Sequence, residues 1–117
     1  MAWEEAIQEE FQDCLKLFPE LKNIGLEVRL SHCIGGAKEW SQDGQQKVVV
    51  LTPPLMCHQA KALRPVILFE LSHFADPVHA EKIFAERADE KSKKLWQRLK
   101  EEDLLLWEIN REKRGGE

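Results

Sequence analysis

From Pro65 to Phe74 the chain reads Pro-Val-Ile-Leu-Phe-Glu-Leu-Ser-His-Phe, apolar around nearly the whole circumference of a helix rather than along one stripe. A helix of that kind must be covered on most sides by the rest of the fold. The segment therefore sets the architecture. It predicts a central helix over 64–75 packed on a sheet, with Pro65 in the first turn, where its missing N–H costs little. Asp76-Pro77 ends that helix.

Upstream, Trp3, Ile7, Phe11, Cys14, Leu15 and Phe18 recur at helical spacing. Glu4, Glu5, Glu9 and Glu10 crowd the early turns, where the helix dipole favours negative charge. Pro19 closes this helix. Leu26, Val28 and Leu30 alternate with Glu27, Arg29 and Ser31, the period of a half-buried strand. Gly35-Gly36 reads as a turn, followed by a short strand through Ala37 to Ser41. Gln42-Asp43-Gly44 reads as a hairpin turn into a buried strand over Lys47 to Leu51, with Val48, Val49 and Val50 at its centre. Downstream, one long helix is expected from His79 to Asn110, with Lys93, Lys94, Arg98, Glu101 and Glu102 on its wet face and residues 111–117 as a frayed tail. The order α-β-β-β-α-α describes one small α+β domain over residues 1–117 with a three-stranded sheet.

Composition narrows the function classes. A chain of 117 residues, 43% apolar and 32% charged, is sized and balanced for one globular core. Its net charge of -4 argues against a nucleic-acid partner. The lack of any run of ~18 apolar residues argues against a membrane partner. The acidic start Met-Ala-Trp-Glu-Glu is unlike a secretory signal. Cys14, Cys33 and Cys57 are odd in number and far apart, as expected of reduced thiols in a cytoplasmic protein. Oligomeric state is left open.

Chemistry concentrates where polar groups interrupt the central helix, at Phe69-Glu70-Leu71-Ser72-His73. Glu70 and His73 stand three apart and share a helix face. A carboxylate in so apolar a segment is costly to bury without a partner. The plainest account of an isolated Glu-x-x-His pair is that the two side chains satisfy each other and nearby backbone.

The wider block supports a more specific account. Residues 63–84 read Leu-Arg-Pro-Val-Ile-Leu-Phe-Glu-Leu-Ser-His-Phe-Ala-Asp-Pro-Val-His-Ala-Glu-Lys-Ile-Phe. This block resembles the core of the small gluzincin-like metallopeptidases, the SprT-like and YgjP-like proteins and the minigluzincins. In the YgjP-like members a helix carries His-Glu-Leu-x-His, followed by a Pro, a third His and an aromatic. Glu70, Leu71, His73, Pro77, His79 and Phe84 fall on those places. The resemblance implies a minimal zincin-like domain, with Glu70 as the catalytic base and His73 and His79 as zinc ligands. It also implies a cleft below the sheet edge that receives an extended peptide by strand addition.

The first zinc-binding histidine of that pattern falls on Phe69, which makes this a degenerate HExxH motif. Catalytic zinc normally has three protein ligands, and two imidazoles hold it weakly. Zinc binding is therefore expected to be weak or absent. The favoured reading is a metallopeptidase homologue that is inactive or weak as a peptidase, a pseudoenzyme binding a peptide or protein partner. A second reading is an active metal-dependent hydrolase using His73, His79 and a substitute ligand. Cys57 and His58, just before the helix, are candidates for it, as are Asp76 and Glu81, which could make a harder, oxygen-rich site. His32 and Cys33 are more distant ones. The plainer roles are exposed histidines, a helix cap at Asp76 and a first-turn acid at Glu81. A third reading is a structural protein that assembles through its C-terminal helix, where Leu104-Leu105-Leu106-Trp107 is apolar beyond one packing face. In the run 86–91, a solvated helix face with a Glu90–Lys94 attraction is favoured, against an Arg87 that reaches across to Glu70. Trp40 is either a core cap or a groove residue.

Overall fold

The computed structural model of the protein describes residues 3–32, 34–40 (37–40 by their backbone), 44–54 and 56–101. Helix α1 (Trp3–Leu15) buries Ile7, Phe11 and Cys14, about one residue per turn, and carries Glu4 and Glu5 in its first turn. Phe18 follows it into the core. Asn23, at φ 59°, takes the left-handed conformation that leads the chain into β1 (Ile24–Leu30). Strands β2 (Gly35–Trp40) and β3 (Gln46–Thr52) form the predicted hairpin. Its tip at 41–43 and the side chain of Trp40 lie outside the described residues.

The sheet has the order β1-β3-β2, with β1 parallel and β2 antiparallel to β3. Leu26 lies beside Val48 and Val28 beside Val50. Val48, Val49 and Val50 are all fully buried, as befits the central strand of three. Gly35-Gly36 is not the expected turn. The two glycines open β2, paired with Leu51 and Val50, and Gly36 passes close against the central helix.

That helix, α2 (Ala60–Ala75), begins four residues before the expected start at 64. Ala60, Lys61, Ala62 and Leu63 are good helix formers and add a turn ahead of Pro65. Pro65 therefore sits inside the helix and removes one backbone hydrogen bond. From Leu63 to Ser72 every residue but Arg64 is buried. Ile7 and Phe11 of α1, Val48 and Val50 of β3, and Leu63, Ile67 and Leu71 of α2 belong to one core.

The long helix expected from His79 to Asn110 is divided. Helices α3 (Ala80–Arg87) and α4 (Glu90–Glu101) are separated by an extended Ala88, at φ -73° and ψ 144°. Asp89 caps α4. Its carboxylate accepts the backbone N–H of Ser92 at 3.0 Å and the Ser92 hydroxyl at 2.8 Å. Arg64 fixes the corner, donating to Asp89 at 3.0 Å, Glu10 at 3.0 Å and Asp13 at 2.7 Å. One guanidinium thus joins α1, α2 and the α3–α4 junction. Glu90 pairs with Lys93 at 2.7 Å, one residue short of the expected Lys94. The apolar run 104–107 and the tail 111–117 lie outside the described residues. The result is a small α+β fold, with four helices and a three-stranded mixed sheet among the described residues. No helix among the described residues is long and apolar enough to cross a membrane.

Candidate functional site

Helix α2 presents Phe69, Glu70 and His73 to a cleft of about 620 Å³. Gly36 of β2 closes one side, and the segment from Pro77 to Lys82, including His79 and Glu81, closes the other. The two histidines, six residues apart, thus open onto one cleft because Pro77 ends α2 and turns the chain back.

Glu70 is only 8% exposed. Its side chain lies directly under Gly36, where an added Cβ would stand 2.7 Å from Cγ. The outer strand β2 can pass this close to α2 because position 36 has no side chain. Among the described residues, no buried side-chain nitrogen or oxygen lacks a hydrogen-bond partner.

Phe69 faces two ways. It lines the cleft beside His73, whose ring lies edge-on at 4.6 Å. It also stacks on Trp96 of α4 at 4.5 Å and meets Phe84 of α3 edge-on at 5.7 Å. The phenyl ring is 7% exposed and is part of the core.

Both imidazoles are oriented through Nδ1. In His73 it lies 3.2 Å from the Phe69 carbonyl, so the ring is held by backbone of its own helix. In His79 it lies 2.8 Å from Asp76 Oδ2. The other Asp76 oxygen accepts the backbone N–H groups of Val78 at 3.0 Å and His79 at 3.3 Å. The hydrogen bond with His79, opposed by burial and helped by the two backbone donors, holds the Asp76 carboxyl below its ordinary range. Asp76 thus orients His79 and caps the turn, the plainer of the two roles open to it.

The remaining sequence candidates are dispersed. Cys57 is buried in the turn before α2, with Sγ 3.0 Å from the Pro54 carbonyl oxygen. His58 opens onto a separate depression with Glu9 and Lys91. His32 follows β1 by two residues and does not line the cleft, and Cys33 lies outside the described residues. Arg87 does not reach Glu70. It turns to the loop after α1, gripping Glu20 with two bonds of 2.7 Å and lying 4.8 Å over the Phe18 ring.

A catalytic zinc needs three protein ligands. The motif resemblance sets its first ligand at Phe69, a phenyl ring stacked on Trp96. Among the described residues, no three His, Cys, Asp or Glu side chains form a group that could hold a metal ion. Sequence reasoning missed Gly36, Val78 and Lys82 as cleft residues. A glycine beside a strand pattern is a signal for close backbone approach, and it was available at Gly36.

Compared with protein-family models, curated proteins and solved structures, the chain matches none.

Proposed function

We propose that this is a cytoplasmic homologue of the gluzincin-like metallopeptidases that has lost the first metal ligand and retains a peptide-binding cleft. One observation carries the reading. Phe69, Glu70, His73 and His79 line a single cleft beside the outer strand β2. An extended peptide laid along β2 would add a fourth strand through its main chain and place side chains over the cleft. Glu70, buried beneath Gly36, forms part of the wall of that cleft.

Zinc content measured after purification without chelator tests the reading. The parent protein is expected to carry well below one zinc per chain. Phe69→His should approach about one, because the new imidazole would join His73 and His79 as a third protein ligand. It replaces a ring of similar reach and can still stack on Trp96. Stoichiometric zinc in the parent protein, lost in His73→Ala, would instead establish a hydrolase with a substitute ligand. Failure of Phe69→His to gain zinc would separate the cleft from the metallopeptidase pattern altogether.

A further inference from the structure

The hydrogen bonds that orient the two histidines also settle what kind of ligand their ring nitrogens can meet. A carbonyl and a carboxylate only accept. The Nδ1 atoms that face the Phe69 carbonyl oxygen and Asp76 Oδ2 therefore carry the protons in the neutral rings. That leaves Nε2 of both His73 and His79 as an acceptor. Glu81 at the rim adds a carboxylate to the same cleft. Lys82, exposed on α3, is its one cationic side chain among the described residues. A cleft with this lining is matched by a ligand rich in N–H donors and positive charge.

Val78 adds a second, independent observation. It is 83% exposed, yet its backbone N–H is tied to Asp76 at 3.0 Å, so an apolar side chain is held up at the lip rather than folded away. A long side chain with an apolar stem and a charged head fits such a lip followed by such a cleft. Resting on the peptide-binding reading above, we propose that the cleft recognises an arginine side chain of an extended peptide. Its methylenes cross Val78, and its guanidinium donates to Nε2 of His73 and His79 and to Glu81. The planar five-donor fork of arginine suits several acceptors at once better than a lysine ammonium does.

The test uses three blocked pentapeptides, acetyl-Thr-Val-Xaa-Val-Thr-amide, with Arg, citrulline or Glu at the centre. Each is titrated into the protein, and the amide signals of residues 69–82 are followed by NMR. The arginine peptide should bind at least about tenfold tighter than the glutamate peptide, the scale of one or two charge-assisted hydrogen bonds at a partly wet site. Citrulline, which keeps N–H donors without the charge, should fall between them. Glu81→Gln, an exposed position that leaves the fold intact, should weaken the arginine peptide by about threefold. Equal binding of all three peptides would overturn the arginine proposal and leave the peptide cleft standing. An arginine preference untouched by Glu81→Gln would place the guanidinium elsewhere and also overturn it. No shift with any peptide at millimolar concentration would remove the peptide cleft and the proposal together.

Discussion

A Cβ on Gly36 would stand 2.7 Å from Cγ of Glu70 and 2.9 Å from its Oε1. Strand β2 and helix α2 are thus in register at this point through the absence of one methyl group. Gly36→Ala should push Glu70 from its place and cost about 1–3 kcal/mol, the usual penalty for overpacking a filled site. Urea denaturation measures it. Truncating the neighbour in the same chain, as Gly36→Ala with Glu70→Ala, should return part of that loss, since the two sites touch and their effects are coupled. Strict additivity would show that the strain lies elsewhere.

Phe69 is both a wall of the cleft and a part of the core, and the two roles predict different sensitivities. Phe69→Ala removes a ring packed on Trp96, Phe84 and His73 and should cost about 3–5 kcal/mol. Phe69→Leu should cost clearly less. A loss below about 1 kcal/mol for the alanine variant, read from chemical denaturation, would show that α4 does not depend on this ring.

The Arg64 junction gives a prediction in pH. Burial works against ionisation of Asp89, but hydrogen bonds from Arg64 and Ser92 outweigh it and lower its pKa from 3.8 to about 2. A depressed carboxylate contributes stability that is complete above its unfolded value and is lost as pH falls through the folded one. The window here runs from about pH 4 down to about pH 2. Because this carboxylate is 47% exposed, its own share is about 1 kcal/mol after screening. Arg64→Met leaves Glu10, Asp13 and Asp89 facing one another and should cost about 2–4 kcal/mol at pH 7. The gap between variant and parent should narrow at pH 2. A gap that stays constant across that range would assign the loss to packing alone.

Cys14 is fully buried among α1 and core residues, and burial pushes its thiol up to about 12. Almost none of it is thiolate at pH 8, so it should resist iodoacetamide in the folded protein and react in denaturant. Peptide mass mapping before and after unfolding checks this. Rapid labelling of Cys14 under native conditions would mean that α1 lifts from the core easily.

Elements with a clear period were legible in the sequence. The helical spacing of Ile7, Phe11 and Cys14 marked α1, and the valine run marked β3. Boundaries and breaks were less legible for identifiable reasons. The start of α2 was misplaced because Pro65 looks like an N-terminal signal, although four good helix formers precede it. The break between α3 and α4 was hidden in the run 86–91. There, Asp89 looks like one more surface charge until Ser92 and Arg64 are seen to converge on it. Arg87 was ambiguous for a different reason: its partner, Glu20, lies 67 positions away, and no local pattern names it. In the site, helix spacing set Glu70 and His73 on one face, and both line the cleft together with His79. Gly36 was missed because Gly-Gly between two strands suggests a turn, and only the third dimension shows what passes beneath it.

The strand order β1-β3-β2 has a consequence for how the chain acquires its sheet. Both β1 and β2 pair with β3, and they do not pair with each other. No ladder bond of this sheet can form until the last of its strands has emerged from the ribosome, so β1 spends the making of β2 with its backbone donors in water. The local hairpin can close within microseconds. The parallel partner must then be recruited across the whole intervening stretch, at the greater entropic cost of a longer loop. Val48 to Val50 therefore act as the seed on which an older segment of the chain is gathered in, and a defect there would leave two strands unpaired instead of one.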